Sequence, residues 1–166
     1  MKRHPARFYG IIAGVATIGY YLLFYAIQPR LFFHLGVYWS SFLIPLVAMG
    51  WAGRQEREGR EIYPWQTALR TPFGVYVYAT LLYYLFYFLF FNYGDPRLVD
   101  IQADVLLENL EKSRAYLGDR EVESLRREIE SAPAGLSPGA ALLSFARSLL
   151  GGFLLSLFIA FALRKE

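Results

Sequence analysis

The chain has 166 residues, of which 55% are hydrophobic and 18% aromatic, and it carries a net charge of +3. Its apolar residues are gathered in long blocks, which excludes an ordinary soluble domain and predicts one integral membrane domain over residues 1–166. The chain has no cysteine, which excludes disulfides, thiolate metal sites and cysteine nucleophiles. Basic residues beside membrane helices usually mark orientation, so we expect membrane lipid and no nucleic acid as a partner.

The first membrane span is predicted at residues 8–27, after a basic N-terminal segment. This run is longer than the apolar core of a secretory signal, which is about 7–15 residues, so we expect it to be retained. Gly10 and Gly14 lie four residues apart on one helix face. Small residues let two backbones approach closely, so this face packs either within the protein or against a second copy.

The second span is predicted at residues 33–51. Pro45 lies inside it and removes one backbone donor, which predicts a kink near residues 42–45. A polar, arginine-rich connection follows. Residues 64–70 then have the pattern of a short interfacial helix, with tryptophan, alanine and leucine on one face.

The third span is predicted at residues 72–93, with Thr71 as its cap and Pro72 at its first position. Its 22 residues carry no charge, and about 20 are enough to cross a hydrocarbon core of about 30 Å. Its candidate site residues are Tyr76, Tyr83, Tyr84 and Tyr87. Their hydroxyls either bond to neighbouring carbonyls in a packed core or form the wall of a pocket for a lipid or quinone-like ligand.

Asp95 and Pro96 are predicted to begin an external pair of amphipathic helices over residues 96–130. The fourth span is predicted at residues 139–163. Small residues recur at every fourth position of this span: Ser144, Ser148, Gly152, Ser156 and Ala160. We expect this stripe to be a helix-packing seam that faces the glycines of span one.

Charge placement predicts the orientation. The three segments on one side of a four-span chain contain nine basic residues: Lys2, Arg3, Arg7, Arg54, Arg57, Arg60, Arg70, Arg164 and Lys165. The long segment on the other side, residues 93–140, has ten acidic and six basic residues, a net charge of −4. By the positive-inside rule, both termini are expected in the cytoplasm and residues 94–138 on the periplasmic or extracellular side.

Arg147 is a charge within span four. Such a charge costs on the order of 3 kcal/mol at the centre of a membrane helix, and less near an interface. Its side chain either extends to the outer headgroups or pairs with an outer carboxylate, for which Asp95 is the candidate. An ion pair between Asp95 and Arg147 would hold the external helices on the membrane helices.

The sequence contains no hydrolase, zinc-protease or nucleotide-binding pattern. His4 and His34 fall on opposite sides of the membrane in this topology and so cannot share a metal ion. No Asp, Glu or Lys falls inside a predicted span, which argues against an ion-coupled transporter. We therefore expect no catalytic residues, no cofactor and no metal site.

Several features resemble the bacterial family known as domain of unknown function 4199. Gly59 and Ile62 are followed by an amphipathic turn over residues 65–71, a long aromatic span and Asp95-Pro96. The last span also fits, with its paired glycines, Gly151 and Gly152, and a short basic tail. The resemblance implies four spans in a bacterial inner membrane, with a helical insert before the last span. It implies no activity, and so no functional residues.

These observations predict an all-α integral membrane protein, a four-helix bundle with an extramembrane two-helix insert between spans three and four. The expected function is a non-enzymatic interaction or accessory component that binds a protein partner or itself. The alternative is binding or transport of a small molecule or lipid by the aromatic face of span three. An aromatic-lined pocket in the structure would favour the alternative.

Overall fold

The computed structural model describes residues 4–58, 61–131 and 135–164. Within these ranges the chain is helical and contains no β-strand. Its helices are α1 Pro5–Ile27, α2 Leu35–Ser41, α3 Leu43–Arg57, α4 Trp65–Leu89, α5 Arg97–Lys112, α6 Arg114–Leu117, α7 Asp119–Ser131 and α8 Pro138–Leu163. A 3₁₀ turn, Pro29–Phe33, follows α1, and a π-helical turn, Phe90–Gly94, extends α4. Lys2, Arg3, Gly59, Arg60 and Lys165 lie outside the described residues.

Four helical stretches are long and apolar enough to cross a membrane: Pro5–Ile27, Leu35–Arg57, Trp65–Gly94 and Pro138–Leu163. Each contains most of one predicted span. The fourth begins where expected, because the Ser137 hydroxyl accepts a hydrogen bond from the Ala140 N–H at 3.1 Å. We call the end of these helices that carries α5–α7 the insert end, and the end near Pro5 and Leu163 the terminal end.

The second span is broken at Phe42, which separates α2 from α3. Because Pro45 has no N–H, the Ser41 carbonyl lacks the donor that a regular helix would supply four residues later. At the same place, the Phe42 N–H bonds to the Trp39 carbonyl at 3.2 Å. This partner is three residues earlier, whereas an α-helix would use the carbonyl four residues earlier, so the turn is tighter. The kink predicted from Pro45 is present, but the helix continues to Arg57 rather than ending near residue 51.

The interfacial helix predicted at residues 64–70 is not a separate element, which corrects that prediction. Trp65–Leu89 is one continuous helix with Pro72 inside it and Pro64 at its cap. Thr71 does not cap this helix, because its hydroxyl bonds to the Glu56 carboxylate of α3. Pro72 removes only one helical hydrogen bond, and its ring is fully buried beside α3 near Gly53.

α4 contacts α1, α3 and α8. One cluster of buried side chains joins these helices: Ala13, Ala48, Met49, Ala52, Val75, Tyr76 and Ala79. A second cluster lies toward the insert end around Tyr21, Phe32 and Val37. A third lies at the terminal end and contains Tyr63, Ala68, Ala160 and Leu163. The aromatic span therefore forms contacts with three other helices of the membrane region.

Both glycine seams face α4. A Cβ on Gly10 would lie 2.6 Å from the Tyr78 Cβ, and one on Gly14 would lie 2.9 Å from a Leu82 methyl. A Cβ on Gly152 would overlap the Tyr76 ring. The prediction that the α8 seam faces span one is therefore wrong, since the bulky residues of α4 require small partners on both sides.

The external helices pack on each other and on the end of the membrane helices. α5 contacts α7 and also the 3₁₀ turn that follows α1. Leu98, Leu110 and Val122 are the buried anchors of this packing. The expected stop at Gly118 is present, with φ of 82°, although Ser113 already interrupts the first helix.

Candidate functional site

A small cavity lies between α1, the α2–α3 break, α4 and α8, and its volume is about 40 Å³. Its hydroxyl-bearing lining residues are Thr17, Tyr21, Tyr38, Ser41, Tyr76, Thr80, Tyr83, Tyr84 and Ser148. The other described lining residues are Phe42, Pro45 and Ala79, so this lining carries no charged side chain. A site of this kind suits a neutral occupant that forms hydrogen bonds.

Paired hydroxyls join α1 to α2 beside this cavity. The Tyr20 and Ser40 hydroxyls are 2.6 Å apart, and those of Tyr21 and Ser41 are 3.2 Å apart. Ser41 donates to the Tyr38 carbonyl at 2.7 Å, so it accepts from Tyr21. These four hydroxyls therefore each have a partner within the protein, as an apolar environment requires.

A second group of hydroxyls lies where α4 faces α8. Ser148 donates to the Phe145 carbonyl at 2.7 Å and lines the cavity together with Tyr76 and Tyr84. This serine of the predicted seam therefore has a polar role as well as a small volume.

The predicted tyrosine wall is only partly assembled. Tyr76, Tyr83 and Tyr84 line the cavity. Tyr87 instead stacks on Phe32 and Phe91, with 5.7 Å between ring centroids in each pair. One water molecule needs about 10–15 Å³ of such space. The cavity therefore has room for about three or four waters or a solute of that size, and is too small for a quinone ring.

Sequence reasoning missed the contribution of α1 and α2 to this cavity. Tyr21 and Ser41 are each ten residues from Leu31, in the turn that joins the two helices. Antiparallel helices joined by a short turn bring such equidistant residues to the same level. The Tyr-Tyr and Ser-Ser pairs, at equal distances from a proline turn, were the signal that could have identified them.

Asp95 is the buried carboxylate of the insert end, with a side chain only 9% exposed. It accepts from the Tyr25 hydroxyl at 2.6 Å and from the Arg97 guanidinium and backbone N–H at 3.0 Å. The hydrogen bond from Arg97, followed by that from Tyr25, holds the pKa of the Asp95 carboxyl well below its usual range. Asp95 thus caps α5 and attaches it to α1.

Of the two alternatives for Arg147, the ion pair with Asp95 is not formed among the described residues. Among the described residues, Asp95 is paired with Arg97, and Arg147 is exposed. Gly152 meets Tyr76 and Leu136 meets Asn92, so Arg147 lies near the level of Leu81, fourteen residues before Asp95. At about 1.5 Å per residue, the backbones of the two residues are about 21 Å apart along the helices.

Two further contacts hold the insert in place. The Asn92 side-chain amide donates to the Leu136 carbonyl at 3.0 Å and accepts from the Leu136 N–H at 3.0 Å. Arg30 of the 3₁₀ turn lies 3.8 Å from Glu108 of α5. Asn92 belongs to the π-helical turn, and such turns are frequent at functional sites.

Glu56 forms a polar cluster at the terminal end. Its carboxylate accepts from the hydroxyl of Thr71 and, at 3.2 Å, from that of Tyr63, which is fully buried. The predicted spans excluded every carboxylate, but the longer α3 includes this one. Glu56 lies near the end of α3, away from the membrane midplane, and its hydrogen bonds to the two hydroxyls give it a structural role.

The two histidines lie at opposite ends of the membrane helices, His4 before α1 and His34 before α2. The His34 Nδ1 accepts from the Gly36 N–H at 3.1 Å and so caps α2. Within residues 4–58, 61–131 and 135–164, no group of three or more His, Asp or Glu side chains is placed to hold a metal ion.

The long apolar helices define an all-helical, multi-pass membrane protein. The chain belongs to the family described as protein of unknown function (DUF4199), whose model matches residues 8–165. This confirms the resemblance noted in the sequence. No curated protein and no solved structure gave a match.

Proposed function

We propose that the protein is a non-enzymatic interaction component of a bacterial inner membrane, built as a four-helix bundle. Its cytoplasmic side is the terminal end, where Arg7, Arg54, Arg57, Arg70 and Arg164 lie. The acidic insert then lies in the periplasm, as the positive-inside rule expects. The bacterial inner membrane is the location that the family resemblance implies.

The observation that carries this proposal is the fixed position of the insert. Asp95, Asn92 and Glu108 each attach the insert or its flanks to another part of the chain. Such attachments hold α5 and α7 in one orientation relative to the membrane helices, and a preorganised surface binds a partner at lower cost. At the junction of α5 and α7, Tyr116 is 92% exposed and Leu117 is 43% exposed. Exposed aromatic and aliphatic side chains on a rigid support are typical of protein contact surfaces.

A photo-crosslinking experiment in living cells tests this function. A photoreactive phenylalanine replaces Tyr116 in the full-length protein, and a matched control replaces Leu110, which is buried. We expect one discrete crosslinked product from position 116 and none from position 110. The product should be lost when Leu106 and Leu117, both exposed, become Ser. A monomer alone at position 116 would contradict the proposal.

The orientation has its own test. A reporter fused after Gly118 is expected to be active only in the periplasm. Cytoplasmic activity of this fusion would reverse the topology, and the crosslinking surface would then face the cytoplasm.

The cavity supports a second candidate function, the binding of a small neutral molecule within the membrane. Its hydroxyl lining and its volume of about 40 Å³ favour a solute of a few heavy atoms over a lipid or quinone. Native mass spectrometry of the protein from its own membrane tests this. A discrete added mass that Ser148→Leu removes, and Ala146→Leu at an exposed position retains, would establish it.

A further inference from the structure

Arg147 is the single charged residue of α8. It lies nine residues after Pro138, or about 14 Å along the helix axis. The next residue, Ser148, lines the cavity beside Thr80 and Tyr84, well within α4. Apolar residues of α8 therefore precede and follow Arg147, and its backbone lies within the membrane-spanning part of the helix.

This charge lies on the face of α8 that turns away from α4. The contact with α4 is made by Gly152, which lies against Tyr76. Arg147 is exposed, and the neighbours on its own face, Leu143, Leu150 and Leu154, are exposed as well. In a bilayer these side chains face lipid. Among the described residues, Arg147 is in no ion pair.

The geometry of a helix directs this side chain toward the insert end. Helical side chains lean toward the N-terminus of their own helix, and for α8 that direction leads to the nearer headgroup region. Ser144 lies one turn before Arg147 and Ala140 two turns before, and both are exposed. These short side chains leave a path for the guanidinium, and Ser144 adds a hydrogen-bond donor beside it.

We propose that Arg147 and Ser144 bind the phosphate of a phospholipid in the leaflet at the insert end, and draw that headgroup inward along α8. A guanidinium binds phosphate through two parallel hydrogen bonds, and the long stem lets the charge approach the interface. A second copy of the chain would not serve as well, because Glu56 is the one carboxylate among the described residues of the four spans and it lies at the terminal end.

Lipid titration of the full-length protein in maltoside detergent, followed by native mass spectrometry, tests the site. Phosphatidylglycerol and phosphatidylcholine are titrated separately, because both carry the phosphate. We expect one tightly held phospholipid on the wild type, and Arg147→Leu should need at least about tenfold more lipid for the same occupancy, since the paired hydrogen bonds are lost. Arg147→Lys should fall between them, because an ammonium lacks the planar fork.

Arg127→Leu is the matched control, since Arg127 is exposed on α7 and pairs with Glu123 in its own helix. It should leave the titration unchanged. Equal lipid occupancy in the wild type and Arg147→Leu would overturn the proposal. A second result would also overturn it. This result is a stoichiometric membrane protein that is bound to the wild type and absent from Arg147→Leu, with no change in the lipid titration, and it would indicate that Arg147 pairs with a carboxylate of that protein. If Arg147→Leu does not fold, Arg147→Gln carries the same comparison.

Discussion

The ring of Tyr76 lies directly on Gly152, so that α4 and α8 meet where one has a large side chain and the other has none. Tyr76 is 1% exposed and belongs to the main buried cluster. The closeness of the two helices at this level depends on the absence of a Cβ at position 152.

Gly152→Ala is therefore expected to lower the stability by about 1–3 kcal/mol, the usual cost of overpacking a core. The melting temperature in detergent measures the effect. Gly151→Ala is the matched control, because an added Cβ at Gly151 meets nothing within 4 Å. Equal melting temperatures for the two variants would contradict this account of the seam.

Asp95→Asn should destabilise the insert end, because it removes the charge that Arg97 and Tyr25 surround. The pKa of Asp95 is lower in the folded state, so the ionised form adds stability above the unfolded pKa of about 3.9. That stability is lost as the pH falls below about 4 toward the folded pKa. The melting temperatures of wild type and variant should therefore differ at pH 7 and converge in strong acid.

Asp100→Asn serves as the control for this measurement, since Asp100 is exposed on the same helix. It should track the wild type across the whole pH range. A constant difference between the wild type and Asp95→Asn down to strong acid would show that the charge of Asp95 does not support the fold.

Asn92→Ala should release the segment that leads into α8. The Leu136 N–H loses its acceptor and the Leu136 carbonyl loses a donor, at an expected cost of about 1–3 kcal/mol. Hydrogen exchange at the Leu136 amide is the measurement, and it should be faster in the variant. Asn109→Ala, at an exposed position of α5, should leave that amide as slow as in the wild type.

Glu56→Ala should destabilise the terminal end, because two hydroxyls lose this carboxylate as their acceptor. A loss of about 1–3 kcal/mol is expected, and Glu56→Gln should lose less because it keeps an acceptor oxygen. A double-mutant cycle with Tyr63→Phe measures the coupling, which should exceed about 0.5 kcal/mol for residues in contact. A coupling near zero would show that the hydrogen bond between Tyr63 and Glu56 does not stabilise the fold.

The candidate site shows why some residues were predictable and others were not. Tyr76, Tyr83 and Tyr84 were predicted because a hydroxyl on an apolar span needs a partner. Tyr21 and Ser41 could be placed beside these tyrosines only once the pairing of α1 with α2 was known. The sequence left two alternatives open for Arg147, and it could not exclude the pair with Asp95 because sequence distance does not show the relative levels of α4 and α8.

The sequence by itself determined the approximate positions of the four long apolar helices, the break near the proline of the second span and the start of α8 after Ser137. These are local properties, since apolar length and the absence of a proline N–H act within a few turns. Only the tertiary structure decided which helix each seam meets. Gly10, Gly14 and Gly152 all accommodate the bulky side chains of α4, because close packing depends on the shapes of both surfaces and each surface comes from a distant part of the chain.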